Sequence, residues 1–300
     1  MRFLAALLCL LNFTSIWATD WPQLQRDAAR TGCTPDSVSP PFRARWIWLG
    51  PALTLRNRES VTGGPDDLTT RDGYSYPIPP TVPLTLAESV QPVVSGGRLF
   101  VGTQEGDVYA ISTHDGSTLW SGQLPGGTIV AAAVESGVVA FASVTGIVRA
   151  WQADTGILLW SYDSRKSITG APLAKDGNFF VADHGGYVTA LRATNGQVIW
   201  RTRVSAPVHG GLAADDATLY VGSEDMRVHA LRLNDGALRA QNRVRGQSFR
   251  MLWPVVHGNF VWVSSVQTPV IGSEYIMESL MADSPSVAVE ETNIARWLAG

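Results

Sequence analysis

AISTHDGSTLW (residues 110–120), AWQADTGILLW (150–160), ALRATNGQVIW (190–200) and ALRLNDGALRA (230–240) recur at a strict interval of 40 residues, with no insertion or deletion between them. Ala110, Ala150, Ala190 and Ala230 open the copies, and Gly116, Gly156, Gly196 and Gly236 keep the same step. Trp120, Trp160 and Trp200 close the first three, with Ala240 in the fourth. A fixed period of this size marks a repeat architecture, in which each unit buries its apolar face only against its neighbours.

The copy from Gln91 to Ser121 shows what one unit builds. Pro92 to Val94 is a short apolar run ended by the turn Ser95-Gly96-Gly97; Arg98 to Thr103 is rich in strand formers. Gln104-Glu105-Gly106 turns the chain, Asp107 to Ser112 alternates polar and apolar residues, and His114-Asp115-Gly116 leads into a last strand ending on Trp120. Four short strands with glycine-bearing turns form a β-meander. At Asp115-Gly116, Thr155-Gly156, Asn195-Gly196 and Asp235-Gly236 the turn demands a positive φ, which glycine adopts at little cost. The earlier turn has Gly106, Gly146 and Gly186, with Met226 in the fourth copy. Helical periodicity is absent, so the region reads as all-β. A lone sheet this small must stack on others, which makes the units four-stranded antiparallel blades of a β-propeller, with the ring incomplete in this chain. The small alanines let sheets approach closely, and each tryptophan lies across the next blade.

These segments resemble the repeats of the pyrroloquinoline-quinone (PQQ) enzyme family, with its A-x-D-x-x-T-G-x-x-x-W tryptophan-docking pattern. Ala110, Gly116 and Trp120 match it, as do Ala150, Gly156 and Trp160, and Ala190, Gly196 and Trp200; Ala230 and Gly236 match without the tryptophan. The resemblance is specific for the fold and not for the cofactor. It implies that the matched tryptophans are structural and lie between blades. Trp21 to Trp48 also resembles the leader that precedes the first blade in this family.

The frame divides as follows. Residues 1–18 read as a secretory signal peptide, with Arg2, an apolar stretch too short to span a bilayer, and cleavage after Ala18. Residues 19–50 form a leader in which Arg45 to Leu49 reads as a strand that closes the ring, and 51–90 a polar, Pro- and Gly-rich excursion from the rim. Residues 91–266 hold the repeats, four clear and a fifth partial, with Trp253 and Trp262 expected in its core. Residues 267–300 read as irregular with two helix-like pieces, Tyr275 to Met281 and Val287 to Leu298. Propellers of this family have seven or eight blades, so the 300 residues are expected to be the N-terminal part of a longer protein.

Composition narrows the chemistry. A net charge of −3, with cations mostly scattered singly, excludes a nucleic-acid surface, and no second apolar segment is long enough to cross a membrane. Cys9 lacks a lipidation context; cleavage leaves Cys33 alone, so no internal disulfide forms. His114, His184, His209, His229 and His257 are not at metal-ligand spacing, and no G-x-S-x-G, Walker A or C-x-x-C-H motif is present. Asp66-Asp67 and Asp215-Asp216 read as solvated loop residues, and Gly126-Gly127 and Gly185-Gly186 as turns. No catalytic residue, cofactor or metal site is assigned from the residues.

Two readings follow. One is an exported scaffold that binds a protein or small-molecule ligand at the propeller rim or axis, as resemblance to the propeller subunit of the outer-membrane β-barrel assembly machinery implies. The other is the N-terminal part of a quinoprotein alcohol or sugar dehydrogenase with PQQ and Ca²⁺ at the axis; the adjacent cysteines of that family are absent here. An extracellular sensor domain is a third. Discrimination rests on what occupies the axis.

Overall fold

The computed structural model describes residues 19–37, 40–41, 43–46, 48, 67–69, 75–77, 90–128, 130–244, 249 and 253–264. The signal peptide at 1–18, Cys9, Asp66, most of the 51–90 excursion and the helix-like pieces after 267 lie outside these residues. Inside the excursion, β1 (Asp67–Thr69) and β2 (Ser75–Pro77) pair as an antiparallel hairpin. No signal in that polar, proline-rich stretch announced them.

The repeats fold into four sheets of identical order. Blade one is β3 (Val93–Ser95), β4 (Arg98–Gly102), β5 (Asp107–Ser112) and β6 (Thr118–Gln123). Blade two is β7 (Ala133–Glu135), β8 (Val138–Ala142), β9 (Ile147–Gln152) and β10 (Leu158–Asp163). Blade three is β11 (Leu173–Lys175), β12 (Asn178–Ala182), β13 (Tyr187–Arg192) and β14 (Val198–Arg203). Blade four is β15 (Leu212–Ala214), β16 (Thr218–Ser223), β17 (Arg227–Arg232) and β18 (Leu238–Arg243). β19 (Val255–His257) and β20 (Phe260–Trp262) begin a fifth.

Each complete blade is an antiparallel meander whose first strand lies innermost. First strands meet across blades, β7 against β11 and β15 against β19, whereas the fourth strands carry the exposed residues. Among the described residues the sheets form an open arc of blades and no closed ring. The apolar core falls into clusters between neighbouring blades: Phe100 and Val108 meet Phe141 and Trp151, Ala150 and Trp160 meet Phe179 and Leu191, and Phe180 and Trp200 meet Leu219 and Leu231.

The repeated tryptophans stitch these clusters. Trp120 Nε1 donates to Ala153 O at 3.0 Å, Trp160 Nε1 to Ala193 O at 2.8 Å and Trp200 Nε1 to Leu233 O at 2.8 Å, each reaching the next blade. A Cβ on Gly156 or Gly196 would stand 2.6 Å from the docked ring, and one on Gly236 2.5 Å from Trp200. These glycines therefore have two reasons to be glycine, a φ near +70° and the ring resting on them. Ala110, Ala150 and Ala190 sit opposite the tryptophans in the cross-strand register, where a larger side chain would displace the indole; half-buried Ala230 faces Ala240. Met226 takes the left-handed turn conformation, with φ 61°, that glycine takes in the other blades.

Trp46 makes the same contact one step earlier. Its Nε1 donates to Thr113 O at 3.0 Å, and a Cβ on Gly116 would fall 2.8 Å from its ring. Arg45, Trp46 and Trp48, within the stretch that reads as a strand, are in no strand. Docking, not pairing, fixes this part of the leader to blade one. Trp253 packs against the first core cluster, but Trp262 is 62% exposed and does not join the core expected of it.

Candidate functional site

The inner side of the arc is occupied by the chain's own leader. Trp21 exchanges two 2.8 Å backbone hydrogen bonds with Val94 of β3, and Pro22 O accepts from Val134 N of β7 at 2.8 Å. The Gln23 side chain brackets Ala174 of β11, donating to its O at 3.0 Å and accepting from its N at 2.9 Å. Ala28 O accepts from Ala214 N of β15 at 2.7 Å, and Ala29 O from Val256 N of β19 at 2.8 Å. One short segment thus touches the innermost strand of each of the four complete blades described and of the partial fifth.

Arg30 completes the plug. It is 1% exposed, and its guanidinium donates to Leu24 O at 2.6 Å, Leu212 O at 2.8 Å and Pro172 O at 3.3 Å. Burial pushes its pKa from 12.5 down to about 9, against the opposing charge of Asp27. A buried cation held by carbonyls alone is satisfied only while all of them stay in place. No motif in residues 21–30 announces the crossing, because its bonds are mostly backbone bonds and carry no residue preference.

Within the described blades, the leader occupies the inner side on which an axial quinone with its calcium would have to sit. Among the described residues the inner strands present backbone groups to the leader, and buried Arg30 spends its donors on carbonyls. Among the described residues no three His, Cys, Asp or Glu side chains are grouped to hold a metal ion.

Polar side chains gather on the face that carries the loops between blades. The His184 and His209 rings lie 3.9 Å apart between centroids, with Thr169 Oγ1 2.8 Å from His184 Nε2 and His209 Nε2 3.1 Å from Glu224 Oε1. Sequence spacing hid this pair, since His184 stands in the turn between β12 and β13 and His209 in the next inter-blade loop. Beside blade four, Ser205 of the β14–β15 loop and Ser223 of β16 place their Oγ atoms 3.2 and 2.9 Å from His229 Nε2. Both hydroxyls donate to Asp225, at 2.6 and 2.5 Å, and Arg227 pairs with the same carboxylate. The residue types are those of a nucleophilic triad, but the wiring is not. The hydroxyl protons point to the aspartate, so the imidazole has none to accept and serves as donor.

Burial pushes the His229 imidazole below 6.5; Asp225 pulls it up and Arg227 adds to the depression. The unfolded chain therefore takes up this proton first as pH falls. The stability that His229 contributes is present above pH 6.5 and is lost as pH drops through its folded-state value. His229→Gln, which keeps an N–H donor, is expected to flatten the melting temperature between pH 7.5 and 5 relative to wild type. Parallel curves would remove this role.

Elsewhere, Asp215 is not a bare solvated carboxylate: it accepts from Ala217 N, Thr218 N and the Tyr220 hydroxyl at 2.7–2.8 Å and shapes the β15–β16 turn. Asp216 is exposed and pairs with Lys175 at 3.3 Å. On the face opposite the inter-blade loops, an open groove of about 590 Å³ is lined by Ser95, Arg98, Glu135, Gln152, Asp154 and Thr194 among others. Cys33 is exposed. The repeat-motif tryptophans lie at blade-to-blade contacts, and the motif glycines lie in the turns between third and fourth strands, beneath the docked rings. No helix among the described residues is long and apolar enough to cross a membrane.

BamB from Moraxella catarrhalis is 17% identical over 56% of this chain and 54% of its own length, with a TM-score of 0.47. The quinohemoprotein alcohol dehydrogenase from Comamonas testosteroni is 19% identical over 75% of this chain and 41% of that one, with a TM-score of 0.52. The computationally designed Ika8 protein is 20% identical over 57% and 53%, with a TM-score of 0.50. Such identities speak to the fold alone, and the chain spans about half the length of that BamB. No curated protein matches it. The sequence profile described as outer membrane protein assembly factor BamB matches residues 57–210 and 184–273, well over half of the 300. The chain is a PQQ-like repeat propeller and belongs to this BamB family.

Proposed function

We propose that the chain is exported by residues 1–18 and acts in the cell envelope as a rigid propeller that binds protein partners, without a quinone. The observation that carries this reading is the leader across β3, β7, β11, β15 and β19. With the inner side taken by Trp21–Arg30, the surfaces left for binding are the outer strands and the loops between blades, where rigid scaffolds present their contacts. The family profile, named for outer-membrane protein assembly, supports a partner that is protein and a location in the envelope.

The test is a calorimetric titration of the folded mature protein with PQQ, with and without Ca²⁺. No heat and no thermal shift is the expected result. Micromolar or tighter binding that requires Ca²⁺ would overturn the scaffold reading in favour of a quinoprotein dehydrogenase.

A further inference from the structure

Because the blades share one backbone, positions that differ between them at the rim report what a single blade has been adapted to do. The last strand of each blade ends in a pair of outward residues: Ser121 and Gln123 in blade one, Ser161 and Asp163 in blade two, Arg201 and Arg203 in blade three, Gln241 and Arg243 in blade four. Only blade three has two cations there. They face the cleft toward blade two, since Trp200 and Thr202, on the opposite side of β14, reach blade four through Leu233 O and Gly236 O.

The two guanidiniums are positioned. Arg201 lies 3.9 Å over the Tyr187 ring and donates to Ser164 O at 3.4 Å, and Arg203 lies 5.7 Å from the same ring. In blade four the residue equivalent to Tyr187 is Arg227, which Asp225 neutralises; in blade three the residue at the place of Asp225 is Gly185. The loop that faces this cleft adds exposed Arg165 and Lys166, with Arg165 held at φ 63° by the bond from its N to Asp163 Oδ1 at 2.7 Å. A non-glycine residue in that conformation costs free energy, and such outliers cluster at functional sites. The acids of the cleft are exposed Asp163 and buried Asp183, 3.6 Å from Arg201, so four cations stand against two carboxylates.

The backbone supplies the second half of the site. β14 is the terminal strand of its sheet, and its outer edge has no strand partner among the described residues. Its first half exposes Val198 and Ile199, 43% and 37% accessible, next to the two arginines. An unpaired edge accepts an added strand through main-chain hydrogen bonds, with side-chain pockets setting specificity. Cations on that edge repel basic strands and select acidic ones.

Resting on the scaffold reading, we propose that the β14 edge and the cleft between blades two and three bind an extended acidic protein segment, with carboxylates at alternate positions opposite Arg201 and Arg203 and apolar residues opposite Val198 and Ile199. An anionic lipid surface fits less well, because a headgroup makes no use of a strand edge or of the apolar half.

The probe is a labelled synthetic peptide with glutamates at alternate positions followed by two valines, titrated by fluorescence anisotropy into the full chain. Its lysine-for-glutamate counterpart and a copy N-methylated along one edge serve as comparisons. The acidic peptide is expected to bind at least tenfold tighter than both, and to weaken with salt. Arg201→Glu with Arg203→Glu should lower its affinity at least tenfold. Arg165→Glu with Lys166→Glu, at two exposed side chains outside any strand, should lower it several-fold and guards against a folding defect in the first variant. Equal binding by the lysine peptide, by the N-methylated peptide or by both double variants would overturn the site, as would binding of phosphatidylglycerol vesicles without binding of the peptide. Those failures leave the scaffold reading standing, which falls only with quinone binding.

Discussion

Arg30→Ala is expected to destabilise the protein by about 3–5 kcal/mol, read as a shift in the denaturant midpoint. Among the described residues the side chain is the largest fully buried polar group, and three carbonyls from the leader, the loop before β11 and β15 depend on it. Truncation leaves those oxygens buried without their donor, at about 1–3 kcal/mol each, and opens a cavity that the inner strands cannot close. Part of this is offset, because burial already disfavours the charged guanidinium, as its depressed pKa records. Arg30→Lys tests the geometry: one ammonium keeps the charge but cannot spread its donors over three carbonyls as the planar fork does, so it should recover only part of the loss. Faster proteolysis within residues 19–37 should accompany the alanine variant, since the leader would then be tied only by its backbone bonds and side chains such as Gln23. A cost of Arg30→Ala below about 1 kcal/mol would mean that the leader covers the inner strands without holding them.

The blades were legible because their causes are local and repeated. Gly116, Gly156, Gly196 and Gly236 sit where turn geometry demands them, and the apolar runs of β5 and β13, each buried at four consecutive residues, are those of strands packed on both faces between neighbouring blades. Even the docking tryptophans follow from a large apolar residue recurring in phase with a glycine. The leader was legible as a segment before the blades, but its path across them was not, for the opposite reason. Its contacts join Trp21, Pro22, Gln23, Ala28 and Ala29 to strands 70 to more than 200 residues away, and most run through backbone atoms, which leave no mark on residue choice. The β14 rim was hidden differently. Arg201 and Arg203 read singly as solvated cations, and their meaning appears only when the fold stacks Arg201 on Tyr187 and brings Arg165 and Lys166 to the same cleft. His184 and His209 met in the same way, through loops whose closure the period did not specify.

Trp160→Ala should cost about 3–5 kcal/mol, against no more than about 0.5 kcal/mol for Trp262→Ala at an exposed site. Trp160 is 8% exposed, lies against Phe179 with ring centroids 6.1 Å apart and bonds to Ala193 O, so its loss empties the joint between blades two and three. Gly196 allows a sharper test of the docking contact itself. Gly196→Ala brings two separable penalties: a side chain at φ +69°, about 1–2 kcal/mol, and a Cβ 2.6 Å from the indole, which cannot retreat into a packed core. With Trp160 already alanine the second penalty vanishes and only the φ cost remains. The double variant must therefore be less destabilised than the sum of the two single changes, by about 1–3 kcal/mol of coupling. Additive effects would mean that the glycine answers to the turn alone and that the ring does not rest on it. The same cycle on Trp200 and Gly236 should give the same sign, since its geometry repeats that of Trp160 and Gly196. A matched pair of couplings would show that the stability of the propeller is a sum of identical joints.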